Sequence, residues 1–308
     1  MSPAARAQWQ IHFCVLLWGF TAILGKAISL GAMSLVVWRM LLVAAALLLM
    51  PRVWRGLRAL PGRQLAIYVG IGVLVALHWL TFYGAIKLAN ASVAVTCIAV
   101  ATVFVPVIEP WITGRPFSAR ELLIGVAVVP GVALVVGGVP LDMRTGIVVG
   151  CLSAVLVAVF GALNKRHVER GDALTVTFVE LGAGGLALVL LAPLVPWFGP
   201  VFEMPGLRDA SLLLVLSLAC TLLPFALSLV ALRQISAFSA QLAVNLEPIY
   251  AIILAILLLG EQRELGWMFY LGVAVILGGV FAHPLLSRQP PHKPEPATLG
   301  TAEAKGLD

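Results

Sequence analysis

Apolar residues in this chain follow neither the two-residue alternation of a half-buried strand nor the one-sided stripe of a surface helix. They form long runs cut by short polar breaks. A helix rises about 1.5 Å per residue, so hydrocarbon about 30 Å thick takes about 20 mostly apolar residues to cross. Ten runs approach that length, at 10–29, 34–51, 65–86, 91–113, 118–138, 145–166, 173–196, 209–232, 237–259 and 265–285. The connections carry breakers: Ser29 to Ser34, Pro51 to Arg63 with Pro61-Gly62, Gly114 to Pro116, Pro140 to Arg144, and Arg166 to Asp172. The expected fold is an all-α membrane protein of ten transmembrane helices, with no soluble catalytic domain between them. No small-residue cleavage site follows the first run, which reads as a retained helix and not a signal peptide. The Pro-rich polar stretch at 287–308 is expected to be a disordered cytoplasmic tail.

Composition agrees with the pattern. Of 308 residues 61% are hydrophobic and 11% charged, and the mean hydropathy is +1.04; a soluble domain carries about 25% charged residues to cover its surface. A net charge of +6 could suggest nucleic acid, but the basic residues cluster in the breaks, which is a topology signal and argues against a nucleic-acid partner. With the N-terminus inside, fourteen Lys and Arg fall on the inner segments and four on the outer ones. Both termini are therefore expected in the cytoplasm of a multi-pass protein of a bacterial inner (plasma) membrane. Cys14, Cys97, Cys151 and Cys220 each stand alone in an apolar run with no CxxC spacing, and read as packing residues, not metal ligands or disulfide partners.

The halves resemble each other. Residues 85–94, AIKLANASVA, align with 231–240, ALRQISAFSA, so that Lys87 meets Arg233 and Asn90 meets Ser236. At the same offset Gly114 meets Gly260, and after one inserted residue Gly125-Val-Ala-Val meets Gly272-Val-Ala-Val. Lys26 and Lys165 pair more loosely. Five spans per half make the repeats, 10–138 and 145–285, antiparallel. Such inverted repeats are the design of many secondary transporters, in which rocking one half on the other exposes a midplane site to each side in turn.

WGFTAILGK in the first span, Trp38-Arg39 in the second, AIKLANASVA between the third and fourth, and the LLLGE ending at Gly260-Glu261 resemble the drug/metabolite transporter superfamily, EamA type, over residues 10 to 285. The resemblance implies two EamA repeats around a central cavity lined mainly by the first, third, fourth, sixth, eighth and ninth helices, and export of small metabolites or amino acids. One departure stands out: the first repeat ends its fourth helix in Gly114-Arg115 where the family has Gly-Glu.

Ionisable groups inside a span are costly unless paired or wetted, so each is a candidate for function. Glu247, mid-way along the ninth span beside Pro248, is either a cavity carboxylate for a proton or cation or a buried helix lock. Gln241 and Asn245 share a face about 200° from Glu247, so on a continuous helix only one set faces the cavity. Glu109, near the inner end of the fourth span, reads as a gate or structural pair. Glu180 in the seventh span and Arg39 in the second read as locking or snorkelling groups, and Lys26 closes the first. In HWLTFYGAIK His78 and Trp79 lie mid-helix, deeper than an interfacial belt, and with Tyr83 are expected as substrate contacts, with Trp18 and Asn164 as weaker ones. Gly146 and Gly150 form a GxxxG suited to close packing.

There is no HExxH, GxSxG, Walker or dinucleotide-binding motif, and no cofactor is expected. The reading is a non-enzymatic secondary transporter of a small metabolite or amino-acid-like solute in a lipid bilayer, with protons or a cation as candidate coupling ions and the oligomeric state left open. A lipid or lipid-linked sugar flippase of the same fold, and a non-transporting membrane enzyme, are the alternatives. Reporter fusions should place Pro61-Gly62 and the chain's C-terminal end in the cytoplasm; either one outside overturns the orientation.

Overall fold

The computed structural model describes residues 2–286; the stretch 287–308, expected as a tail, lies outside the described residues. No strand occurs among them. The helices are α1 (Pro3–Ala27), α2 (Ala32–Leu48), α3 (Pro51–Ala59), α4 (Gly62–Leu88), α5 (Ala91–Ile98), α6 (Ala101–Thr113) and α7 (Ala119–Gly137) in the first half. The second half holds α8 (Arg144–His167), α9 (Ala173–Leu191), α10 (Leu207–Ser217), α11 (Leu223–Leu232), α12 (Ala237–Val244), α13 (Glu247–Leu259) and α14 (Trp267–Leu286). By length and hydropathy eight segments can cross a membrane, and nine if the bent pair α2–α3 counts as one span. Three of the expected spans are interrupted: α5 passes to α6, α10 to α11 through a π-turn at Leu218–Leu222, and α12 to α13.

The first N–H groups of a helix have no acceptor within it, and side chains supply several here. Ser2, Asn90, Ser118, Asp172 and Ser236 cap α1, α5, α7, α9 and α12 through side-chain oxygens. Pro51 opens α3, which lies in the stretch expected as a loop. Val53, Leu57 and Leu60 fall at i, i+4 and i+7 and pack on the core. That apolar edge makes a helix of the loop and turns it 92° from α2.

Contacts sort the bundle into two ends. At the basic end Arg52 pairs with Asp172, Arg233 donates to the Gly171 carbonyl at 2.9 Å, and Arg166 donates to the Ile112 carbonyl. At the opposite end Lys87 donates to the Ile28 carbonyl at 2.6 Å and the Ser29 hydroxyl donates to Asp209. The two halves repeat these devices. Lys87 and Arg233 each reach a carbonyl just beyond the first long helix of their own half, and Asn90 and Ser236 each cap the helix that follows. That helix breaks at the same place in both halves: α5 and α12 begin at Ala91 and Ala237, α6 and α13 at Ala101 and Glu247, always 146 positions apart. Both end on a left-handed glycine, Gly114 at φ 79° and Gly260 at φ 71°, a conformation that spares glycine the Cβ clash.

Close packing rests on small residues. Gly146 and Gly150 of α8 bring it against Ala89 and Cys97, as the GxxxG spacing suggested. Gly131 of α7 and Gly272 of α14 cross so closely that a Cβ on Gly272 would lie 2.5 Å from the Gly131 carbonyl oxygen. Gly272→Val is expected to lower stability by about 1–3 kcal/mol through overpacking, read as a lower melting temperature in detergent. Gly278→Ala, whose Cβ meets nothing within 4 Å, serves as control; equal melting temperatures for the two variants contradict this packing.

Candidate solute cavity

A cavity lies between the halves. The first contributes Trp18, Arg39 and Trp79, the second Asn164, Phe225, Gln241 and Glu247. About 140 Å³ is open to water centres, room for about ten waters at ~10–15 Å³ each. That volume suits a small solute. Its walls are mostly aromatic and aliphatic, with few polar groups, as in most ligand cavities.

Arg39 is 2% exposed, so it does not snorkel. Its Nε donates to Thr221 Oγ1 at 2.6 Å, its Nη1 donates to Tyr83 Oη at 2.8 Å, and the guanidinium carbon sits 3.8 Å from the Trp79 ring centroid. Cation–π contact with a desolvated guanidinium stabilises by about 2 kcal/mol. The π-turn sets up this cradle: it carries Thr221, whose hydroxyl donates to the Leu216 carbonyl at 2.6 Å and accepts from Arg39. Proline at 224 cannot complete an ordinary turn, which favours the bulge there. Nη2 is left without a protein hydrogen bond among the described residues.

Glu247 opens α13 and lines the cavity with no hydrogen-bond donor and no ion pair among the described residues. Ala237, Ala240, Gln241, Val244 and Glu247 line the cavity together at ordinary helical spacing through the turn at Asn245 and Leu246, while buried Asn245 faces away from it. Asn245 Nδ2 donates to Thr102 Oγ1 at 2.6 Å, tying the two broken helices at their breaks. Pro248 falls in the first turn of α13, where its missing N–H costs nothing.

His78 lines the wall but is held by Ser153: Nδ1 lies 3.0 Å from the Ser153 carbonyl oxygen, an acceptor that assigns the ring proton to Nδ1. The His78 ring packs 5.3 Å from Phe160 and 6.2 Å from Phe82. Asn164 reaches Glu180 behind the wall, Nδ2 donating to Oε2 at 3.3 Å. Asn164 Oδ1 and Glu180 Oε1 are both buried without a partner.

Several expected contacts lie elsewhere. Tyr83 is fully buried behind Arg39 and Asn245 faces Thr102, so neither lines the cavity; in each case a neighbouring polar group has claimed the side chain. Lys26 sits in the last turn of α1 away from the cavity, and Glu109 caps α12 at the basic end. Reading the sequence missed Thr221, Phe225 and Phe160. Pro224 beside a threonine in an apolar run was the available signal for the first.

These features define a polytopic helical membrane protein with a solute-sized cavity between two related halves, the architecture of a membrane transporter. The chain matches the EamA-like transporter family over residues 8–137 and 144–282 and belongs to it, as a permease of the drug/metabolite transporter type. A solved crystal structure shares the fold with a TM-score of 0.67 at 16% identity, covering 92% of this chain and 98% of its own. No curated protein sequence matches.

In a background lacking the four native cysteines, Gly161→Cys and Gln241→Cys should react with a small polar thiol reagent, since both positions line the cavity. Asn245→Cys and Tyr83→Cys should stay inert, and the reverse pattern contradicts the assigned wall.

Proposed function

We propose that this permease is a secondary transporter that exports a small amino-acid-like solute by alternating access. It crosses a bacterial inner membrane ten times as two inverted five-helix halves, with the basic end in the cytoplasm. The broken spans count as single crossings in this reading, and α14 as the tenth. The observation that carries it is that Arg39 and Glu247 line the same cavity with no ion pair between them, Arg39 keeping Nη2 and Glu247 its carboxyl group without a hydrogen-bond partner among the described residues. A zwitterion supplies what each lacks, its carboxylate to Arg39 and its ammonium to Glu247. An apolar side chain then rests on Trp79 and Phe225, whose rings are 6.0 Å apart edge to face. When the solute leaves, Glu247 is the group that takes a proton in its place, which yields antiport.

Proteoliposomes loaded with labelled leucine test this. Wild type should release it faster when an inward proton gradient is imposed. Glu247→Gln should cut the initial rate at least tenfold and abolish the response to the gradient. An unchanged rate and response in folded variant protein removes Glu247 from the mechanism.

A further inference from the structure

The two broken helices are closed at their starts by carboxylates from one another's partners. Glu109, near the end of α6, is 1% exposed; its Oε1 accepts from the Ala237 N–H at 2.8 Å and its Oε2 from the Phe238 N–H at 3.0 Å, the first turn of α12. At the opposite end Glu261, just past α13 and also 1% exposed, accepts from the N–H groups of Ala91 and Ser92 at 3.0 Å each, the first turn of α5. The Ser92 hydroxyl adds a third bond to Glu261 at 2.6 Å.

The capped groups are equivalent in the two repeats: Ala91 answers to Ala237 and Ser92 to Phe238, both 146 positions apart. The carboxylates are not. The position equivalent to Glu261 is Arg115, and the carboxylate that does the same task comes from Glu109, six residues earlier. Arg115 completes the substitution. Its Nη2 lies 3.1 Å from Glu109 Oε2, and the guanidinium also binds Glu121. The departure from Gly-Glu at the end of α6 has therefore kept the cap and rewired its source.

We propose that these two caps are the gates of the transporter, one latch at each end of the cavity. The proposal rests on the transport reading. Each latch joins a carboxylate of one half to N–H groups of the other, so the halves cannot part at either end without breaking it. Breaking the Glu109 latch leaves that carboxylate paired with Arg115 on its own segment. Glu261 has no ion-pair partner among the described residues, so the opposite end opens by giving its carboxylate to water. Both latches are formed in this structure.

The test uses Gly161→Cys as reporter in the background free of native cysteines, because that position lines the cavity and its Cβ meets nothing within 4 Å. Membrane-impermeant thiol reagent is applied to inside-out and right-side-out vesicles. Glu109→Ala should raise the labelling rate at least tenfold from the basic-end side only, and Glu261→Ala likewise from the other side only. Adding Arg115→Glu to Glu109→Ala puts a carboxylate where Glu261 stands in the other repeat, and should return labelling to the parent rate. Unchanged labelling in both single variants, a rise from the same side in both, or no rescue in folded double variant overturns the latches. Where Glu109→Ala is not recovered folded, Glu109→Gln, which keeps one acceptor oxygen, takes its place with the same direction expected. Labelling requires no solute, so failure of leucine flux with latch-dependent labelling intact counts against the transport reading and leaves the latches standing.

Discussion

A helix that starts inside a membrane protein leaves N–H groups bare, and in hydrocarbon each unsatisfied group costs several kcal/mol. This constraint organises the molecule at α5 and α12. Their first N–H groups are met by Glu261 and Glu109, carboxylates that belong to the other half. Hydrogen bonds to a charged group stabilise by about 1.5–3 kcal/mol each, and Glu109 accepts two and Glu261 three across the halves. The same broken helices meet at mid-depth, where Asn245 donates to Thr102. Cavity, breaks and end caps are thus parts of one arrangement around the pair α5–α6 and α12–α13.

The second broken helix lines the cavity along one stripe, through Ala237, Ala240, Gln241, Val244 and Glu247. Arg39 comes from another direction and is held by Thr221, Tyr83 and Trp79. No ion pair joins it to Glu247 among the described residues.

Much of this was legible in the sequence, for particular reasons. Hydropathy runs show spans because the bilayer demands length, and the 146-residue offset showed the repeat because Lys87, Asn90 and Gly114 keep structural tasks that Arg233, Ser236 and Gly260 share. Glu247 and Trp79 stood out because a polar or amphipathic residue at mid-span is costly without a role. The rest depended on geometry that spacing does not encode. The four-residue spacing grouped Asn245 with Gln241, whereas the wall runs through Gln241, Val244 and Glu247 and Thr102 holds Asn245 away from it. Tyr83 looked like a contact because its neighbours are, yet Arg39 draws it into the second layer. The basic stretch after Pro51 looked like a loop because only Val53, Leu57 and Leu60 betray its amphipathic edge. Arg115 was visible as a departure, but its meaning waited for the position of Glu109.

Spin-label distances in the chain free of native cysteines, held in nanodiscs without any solute, test alternating access at the two ends most directly. One pair, at Trp111 and Gln234, reports the basic end; the other, at Leu88 and Gln262, reports the opposite end, and all four positions are exposed. Ends that open in turn give a short and a long population for each pair, with the two long fractions together no greater than one. Long fractions that together exceed one mean both ends are open at once, and a single short distance at both pairs means that neither opens; either result contradicts the account.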